Sequence, residues 1–135
     1  MREFEYTALP ARVVFGFDTL RRVIDELRTL GCSRAFVVSD PFHAGGAALR
    51  LMRLLDGDGV YLSTDATMHT PVDITERVME RIAEVHADCI VSLDGGSTIG
   101  LGKALALRTD LPQIVIPTTY AGSEATPILG ETIGG

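Results

Sequence analysis

Two short stretches carry residues whose types and spacing could do chemistry: Asp94-Gly95-Gly96-Ser97 and Pro117-Thr118-Thr119. Each follows an apolar run, Ile90 to Leu93 and Ile114 to Ile116, and the first leads into a segment of small and apolar residues, Thr98 to Leu107. That is the order strand, glycine turn, helix. Where a parallel strand hands over to a helix, unpaired N–H groups and the positive end of the helix dipole converge on one spot, and glycines let an anion come close to them. Gly95, Gly96 and Ser97 therefore read as a seat for a pyrophosphate, with the Thr118 and Thr119 hydroxyls beside it. Neither familiar phosphate loop is present. The pattern G-x-G-x-x-G does not fit, and a Walker A loop would need glycine where Ser97 stands and Ser or Thr where Ala104 follows Lys103. A glycine turn alone can also serve close packing of helix on sheet; the hydroxyls at the second strand end favour a ligand.

Ser39-Asp40, closing the apolar run that starts at Ala35, is the third candidate. A carboxylate after an early strand of a nucleotide-binding sheet accepts hydrogen bonds from ribose hydroxyls and repels a 2′-phosphate. Asp40 could equally turn the chain before Pro41. The histidines His43, His69 and His86 show no spacing suited to a metal, and no Ser/His/Asp or Cys/His arrangement stands out. No metal ligands or catalytic residues are therefore assigned. His69 sits in a loop at a carboxyl edge, within the region expected to meet a ligand, and His86 at a helix end.

The elements that must position these residues alternate. Val13 to Gly16 reads as a strand. Thr19 to Leu30 reads as a helix with Leu20, Ile24, Leu27 and Leu30 on one face, Asp18 as its cap and Gly31 as its stop. Ala35 to Ser39 is a strand; Pro41 to Asp56 is a loop tightening into a helix with Leu51, Leu54 and Leu55 inward; Val60 to Leu62 is a short strand. Thr70-Pro71-Val72-Asp73 has the order of a capping residue, first-turn proline and acidic partner, ahead of an apolar stripe of Ile74, Val78, Ile82 and Val85. Strands separated by helices of this length predict an α/β fold: a doubly wound parallel sheet covered on both faces, with ligands at the carboxyl ends of its strands. Ile128-Leu129 suggests one more strand, yet the sequence stops at Gly134-Gly135, so a fragment of a longer protein is expected.

The 135 residues have room for one domain with a real core. A net charge of −6 with no basic cluster excludes nucleic acid and anionic membrane as natural partners. No apolar run approaches the ~20 residues of a membrane span, and Met1 to Glu5 lacks the pattern of a signal peptide. Cytoplasmic residence is the expectation. Cys32 and Cys89 are too few for a disulfide framework, and Cys89, opening an apolar run, reads as a core thiol.

Taken together, GGSTIGLGKALAL and LPQIVIPTTYAGSEATPILGE, with RVVFG and MHTPVDITE upstream, resemble the maleylacetate reductase branch of the iron-containing alcohol dehydrogenase superfamily. The likeness covers essentially the whole chain. It implies that residues 1–135 are an N-terminal, Rossmann-like dinucleotide-binding domain opened by a β-hairpin, and that an all-helical domain, absent here, follows in the family. It implies NADH, or in some members NADPH, as cofactor, and an oxidoreductase that reduces the C=C bond of 2-maleylacetate, a dicarboxylate, to 3-oxoadipate in aromatic-compound degradation. Homodimers are usual in the family. Carried over by position, Gly95, Gly96 and Ser97 would hold the pyrophosphate, Thr118, Thr119 and Tyr120 would line the nucleotide, and Ser39-Asp40 would face the adenosine ribose. The substrate-polarising groups and the superfamily's metal ligands would lie beyond Gly135, so the chain by itself is expected to be inactive. Two other readings stay open at this point: the cofactor domain of a metal-dependent alcohol or polyol dehydrogenase, and a nucleotide-binding module without chemistry.

One departure bears on binding. The family commonly has a third glycine where this chain has Asp94. A carboxylate within ~4–5 Å of a diphosphate would oppose binding by on the order of a few kcal/mol, so Asp94→Gly is expected to tighten it unless Asp94 points away.

Overall fold

The computed structural model describes residues 11–41, 44–56 and 59–133. Its four strands are β1 (Ala35–Ser39), β2 (Tyr61–Ser63), β3 (Cys89–Asp94) and β4 (Gln113–Pro117), all parallel, in the order β2-β1-β3-β4. The helices are α1 (Val23–Thr29), α2 (Leu49–Leu55), α3 (Val72–Glu84) and α4 (Gly96–Thr109). Among the described residues no helix is long and apolar enough to cross a membrane.

Side-chain alternation along the strands sends residues to two separate cores. Ala35, Val37, Cys89, Val91 and Leu93 pack with Val23 and Leu27 of α1 and Leu51 of α2. Phe36, Val38 and Ile90 pack on the other side with Val78 and Ile82 of α3 and Leu101 and Leu105 of α4. Both faces are thus covered, which is why β1 and β3 are buried along their whole length. The doubly wound α/β sheet expected from the sequence is the fold found.

This strand order places the switch point between β1 and β3. From β1 the chain winds toward β2 on one side; from β3 it winds toward β4 on the other. The loops after β1 and β3 therefore diverge and leave a crevice between them at the carboxyl edge. One contact sets how closely α4 lies on the sheet. Gly102 faces Ser92 of β3 and Gln113 of β4, whose amide nitrogen donates to the Ser92 hydroxyl at 2.9 Å.

Several local expectations give way. Residues 11–15 form no strand; Val13 and Phe15 stand exposed, with no hydrogen-bonded neighbour strand among the described residues. The hairpin's remainder, residues 1–10, lies outside the described residues, as does His43. The Thr19–Leu30 helix begins as a tighter 3-10 turn over Thr19–Arg22. Asp18 does not cap it; its backbone is left-handed and its carboxylate pairs with Arg21 and Arg50. Leu30 is half-exposed and Val23 takes its place in the core, because the change from 3-10 to α geometry rotates the inward face. Thr70 likewise does not cap α3. The cap position falls to Pro71, while Thr70 is buried with a φ of 43° and its carbonyl accepts from the Thr132 amide. Ile128-Leu129 is not a strand; among the described residues the only pairing nearby is a bridge between Pro71 and Thr132.

Candidate functional site

A cavity of about 760 Å³ opens in the switch-point crevice, within the range of small-molecule sites, roughly 300–1,000 Å³. Asp40, Gly46 and Ala47 line it from the β1 side, Asp94 to Thr98 from the β3–α4 turn, and Thr118 and Thr119 from the end of β4.

At its centre is the start of α4. Gly95 occupies the cap position and no side chain caps the helix; the first backbone bond into it runs from the Ile99 amide to the Gly95 carbonyl at 3.1 Å. The amides of the first turn thus have no intrahelical partner. Neither Gly95 nor Gly96 has a left-handed backbone: Gly95 lies at φ −87°, ψ −169°. Their value is bare space. A Cβ on Gly95 would come within 3.3 Å of the Thr119 methyl, and one on Gly96 within 3.4 Å of Ala121 Cβ. Thr98, not singled out from the sequence, adds a second signal. It is buried against the cavity, and its hydroxyl has no hydrogen-bond partner among the described residues. A buried hydroxyl left in this state costs about 1–3 kcal/mol, which a bound acceptor would recover. Open amides, a cradle that a Cβ would narrow and an orphaned hydroxyl all fit an anionic group such as a dinucleotide's pyrophosphate.

Asp94 explains its own tolerance. Its φ of 138° falls where glycine is favoured, a strain of order 1–3 kcal/mol for another residue. The carboxylate offsets this by accepting from the Ser39 hydroxyl at 2.7 Å and the Asp40 amide at 3.0 Å on one oxygen, and from the Thr118 hydroxyl at 3.4 Å on the other. It ties the ends of β1, β3 and β4 together and is held in that role. Ser39 is consequently fully buried and absent from the cavity wall. Expected beside the nucleotide, it donates its hydroxyl to Asp94 rather than lining the cavity. Tyr120 is fully exposed and also off the wall, because the chain leaves the crevice after Thr119. His69 is exposed and away from it, and His86 closes α3 in a left-handed turn.

Asp94→Gly would therefore remove a charge together with these hydrogen bonds, so Asp94→Asn separates the two. It keeps the size and most bonds while removing the charge. At an effective dielectric near 20, a screened carboxylate charge on the cavity wall opposes a diphosphate by on the order of 1 kcal/mol. Dinucleotide affinity is expected to rise roughly fivefold by calorimetry; an unchanged or weaker Kd would show that the carboxylate's charge does not reach the ligand.

Lys103, the chain's one lysine, is absent from the cavity wall. Its ammonium donates to the Ser123 hydroxyl at 3.1 Å and the Ile128 carbonyl at 3.0 Å, and burial lowers its pKa. It straps the segment after β4 onto α4.

The family model for iron-containing alcohol dehydrogenases matches residues 10–133. The chain is 57% identical to a maleylacetate reductase of Rhizobium sp. (strain MTP-10005), over all of this chain and 38% of that protein. It superimposes on the crystal structure of a maleylacetate reductase from Agrobacterium tumefaciens with a TM-score of 0.90 and 53% identity, again covering 100% of this chain and 38% of that one. A sulfoacetaldehyde reductase from Bifidobacterium kashiwanohense, solved in complex with NAD+, is similar over 96% of this chain and 40% of its own, with a TM-score of 0.81 and 26% identity. The chain thus spans about 38% of the length of the maleylacetate reductases it matches.

Proposed function

The chain belongs to the iron-containing alcohol dehydrogenase family, and from that premise we propose that it is the dinucleotide-binding part of a maleylacetate reductase, with NADH as its cofactor. The observation that carries this reading is the uncapped start of α4 at the switch point, with Thr98 beside it. The amides of Gly96, Ser97 and Thr98 hold the pyrophosphate, and the Thr98 hydroxyl donates to it. Thr118 and Thr119 line the nucleotide from β4. Asp40, at the end of β1, receives the ribose hydroxyls.

The nicotinamide, when bound, supplies a hydride to the substrate's carbon–carbon double bond. This chain's residues orient the cofactor. The groups that polarise 2-maleylacetate belong to the rest of the protein length that the relatives have. The 135-residue chain is therefore expected to bind cofactor without turnover, as one part of a cytosolic homodimer. Among the described residues no group of three or more candidate metal ligands lines the cavity.

The cofactor assignment is tested by titrating the chain with NADH and NADPH and following nicotinamide fluorescence. NADH should bind at least about tenfold more tightly, since a carboxylate near a 2′-phosphate opposes it by more than about 1.4 kcal/mol. Asp40→Ala should narrow the ratio to within about threefold. Equal or tighter NADPH binding by the unaltered chain would refute the role given to Asp40. For the substrate, an enzyme of the relatives' full length carrying these residues should oxidise NADH when 2-maleylacetate is added. Failure with that substrate, while NADH still binds, would remove the reductase and leave the binding site.

A further inference from the structure

Cys32 and Cys89, far apart in sequence, meet at the amino edge of the sheet, opposite the cavity. Cys32 lies in the turn between α1 and β1, and Cys89 is the first residue of β3, paired in register with Ala35 of β1. Asp88 stands between them. One ligand atom from each of Cys32, Asp88 and Cys89 lies within 4.8 Å of the others. Cys89 is fully buried, and Cys32 and Asp88 are partly so.

We propose that Cys32, Cys89 and Asp88 form a binding site for a thiophilic divalent cation of the zinc class, which clips the α1–β1 turn to the start of β3. The donor set is two sulfurs and one oxygen. That suits an ion accepting thiolate and carboxylate in tetrahedral geometry, with water completing the fourth position on the partly exposed side. The carboxylate is already oriented. One oxygen accepts from the Ser33 amide at 2.8 Å and the Ser33 hydroxyl at 3.1 Å, the other from the Arg34 amide at 2.9 Å. Such outer contacts are what fix a metal-binding carboxylate in place.

The two thiols make poor nucleophiles where they stand. Burial and the neighbouring Asp88 charge hold both above the usual thiol range, and Cys32 also raises Cys89. Two thiolates beside a carboxylate would repel one another strongly, and a divalent cation resolves that repulsion. On binding, each thiol releases its proton to buffer as its sulfur bonds the metal, and no electron moves. The site shares no residue with the dinucleotide cavity, so it stands or falls independently of the cofactor reading.

The probe is Cd²⁺ alone, titrated into the reduced chain in a non-chelating buffer. Expected are one Cd²⁺ per chain, a thiolate-to-cadmium charge-transfer band, and a Tm raised by more than about 5 °C at a hundredfold excess over Kd. Cys32→Ala, at a partly exposed position, should weaken binding at least about a hundredfold and lose most of the band. Asp88→Asn should weaken it about tenfold while keeping the band. Absence of the band in the reduced chain, the same affinity in Cys32→Ala, or a disulfide between the cysteines with no cadmium uptake after reduction would each overturn the proposal.

Discussion

Gly102→Ala is expected to destabilise the chain by about 3 kcal/mol, with cooperative unfolding in urea shifted to much lower denaturant. A Cβ at this position would collide with the Ser92 hydroxyl and the Gln113 side-chain amide, and would sit 3.1 Å from Ser92 Cβ. Neither neighbour is a loose surface tip. Ser92 is fully buried in β3, and the two are hydrogen-bonded to each other. Overpacking of this kind costs about 1–3 kcal/mol, and breaking the bond over a buried hydroxyl about 1–3 more. Alanine's better helix propensity returns only about 1 kcal/mol. Gly130, where a Cβ meets nothing within 4 Å, is the control: Gly130→Ala should stay within about 0.5 kcal/mol of the parent. A Gly102→Ala chain as stable as the parent would mean that α4 does not rest on the sheet through this contact.

Gly96→Val is expected to do the opposite, weakening dinucleotide binding a hundredfold or more while leaving Tm nearly unchanged. Gly96 is the first residue of the same helix, yet the nearest atom to an added Cβ is Ala121 Cβ at an ordinary 3.4 Å. The fold has room for an added Cβ. The ligand does not, because a branched residue there stands over the amides of the first turn. Losing two or three charge-assisted hydrogen bonds at about 1.5–3 kcal/mol each accounts for the drop. Gly96→Ala should give an intermediate loss of about tenfold. Calorimetry with NADH, paired with a thermal melt, separates the two glycines: position 102 governs the fold and position 96 the site.

The sequence made this distinction only in part. Alternating apolar runs, Gly-Gly-Ser at one strand end and Pro-Thr-Thr at the next were enough to foresee the doubly wound sheet and the place of its crevice. These signals are local and periodic, so they survive without tertiary information. What escaped notice depends on contacts between distant residues. Asp94 looked like a liability because its partners Ser39, Asp40 and Thr118 come from neighbouring strand ends. Ser39's burial beside Asp94 is likewise a property of the assembled sheet, invisible in its local sequence. Thr98 could have been found by counting, since it is the third residue of the helix begun by Gly96 and its hydroxyl stays with the first turn. The Cys32–Cys89 pair could not, because only the register of β1 on β3 brings its members together. The caps expected at Asp18 and Thr70 failed for a related reason. Residue type suited each position, but ion pairs at Asp18 and the bridge to Thr132 fixed the backbone otherwise.

The most direct measurement follows the backbone amide resonances of the 135-residue chain as NADH is added. Saturable shifts should centre on Gly95, Gly96, Ser97 and Thr98, with smaller ones at Asp40, Ala47, Thr118 and Thr119, and they should vanish in Gly96→Val. Shifts clustered at another edge of the sheet, or none at millimolar NADH with the fold intact, would contradict a dinucleotide seat at the start of α4.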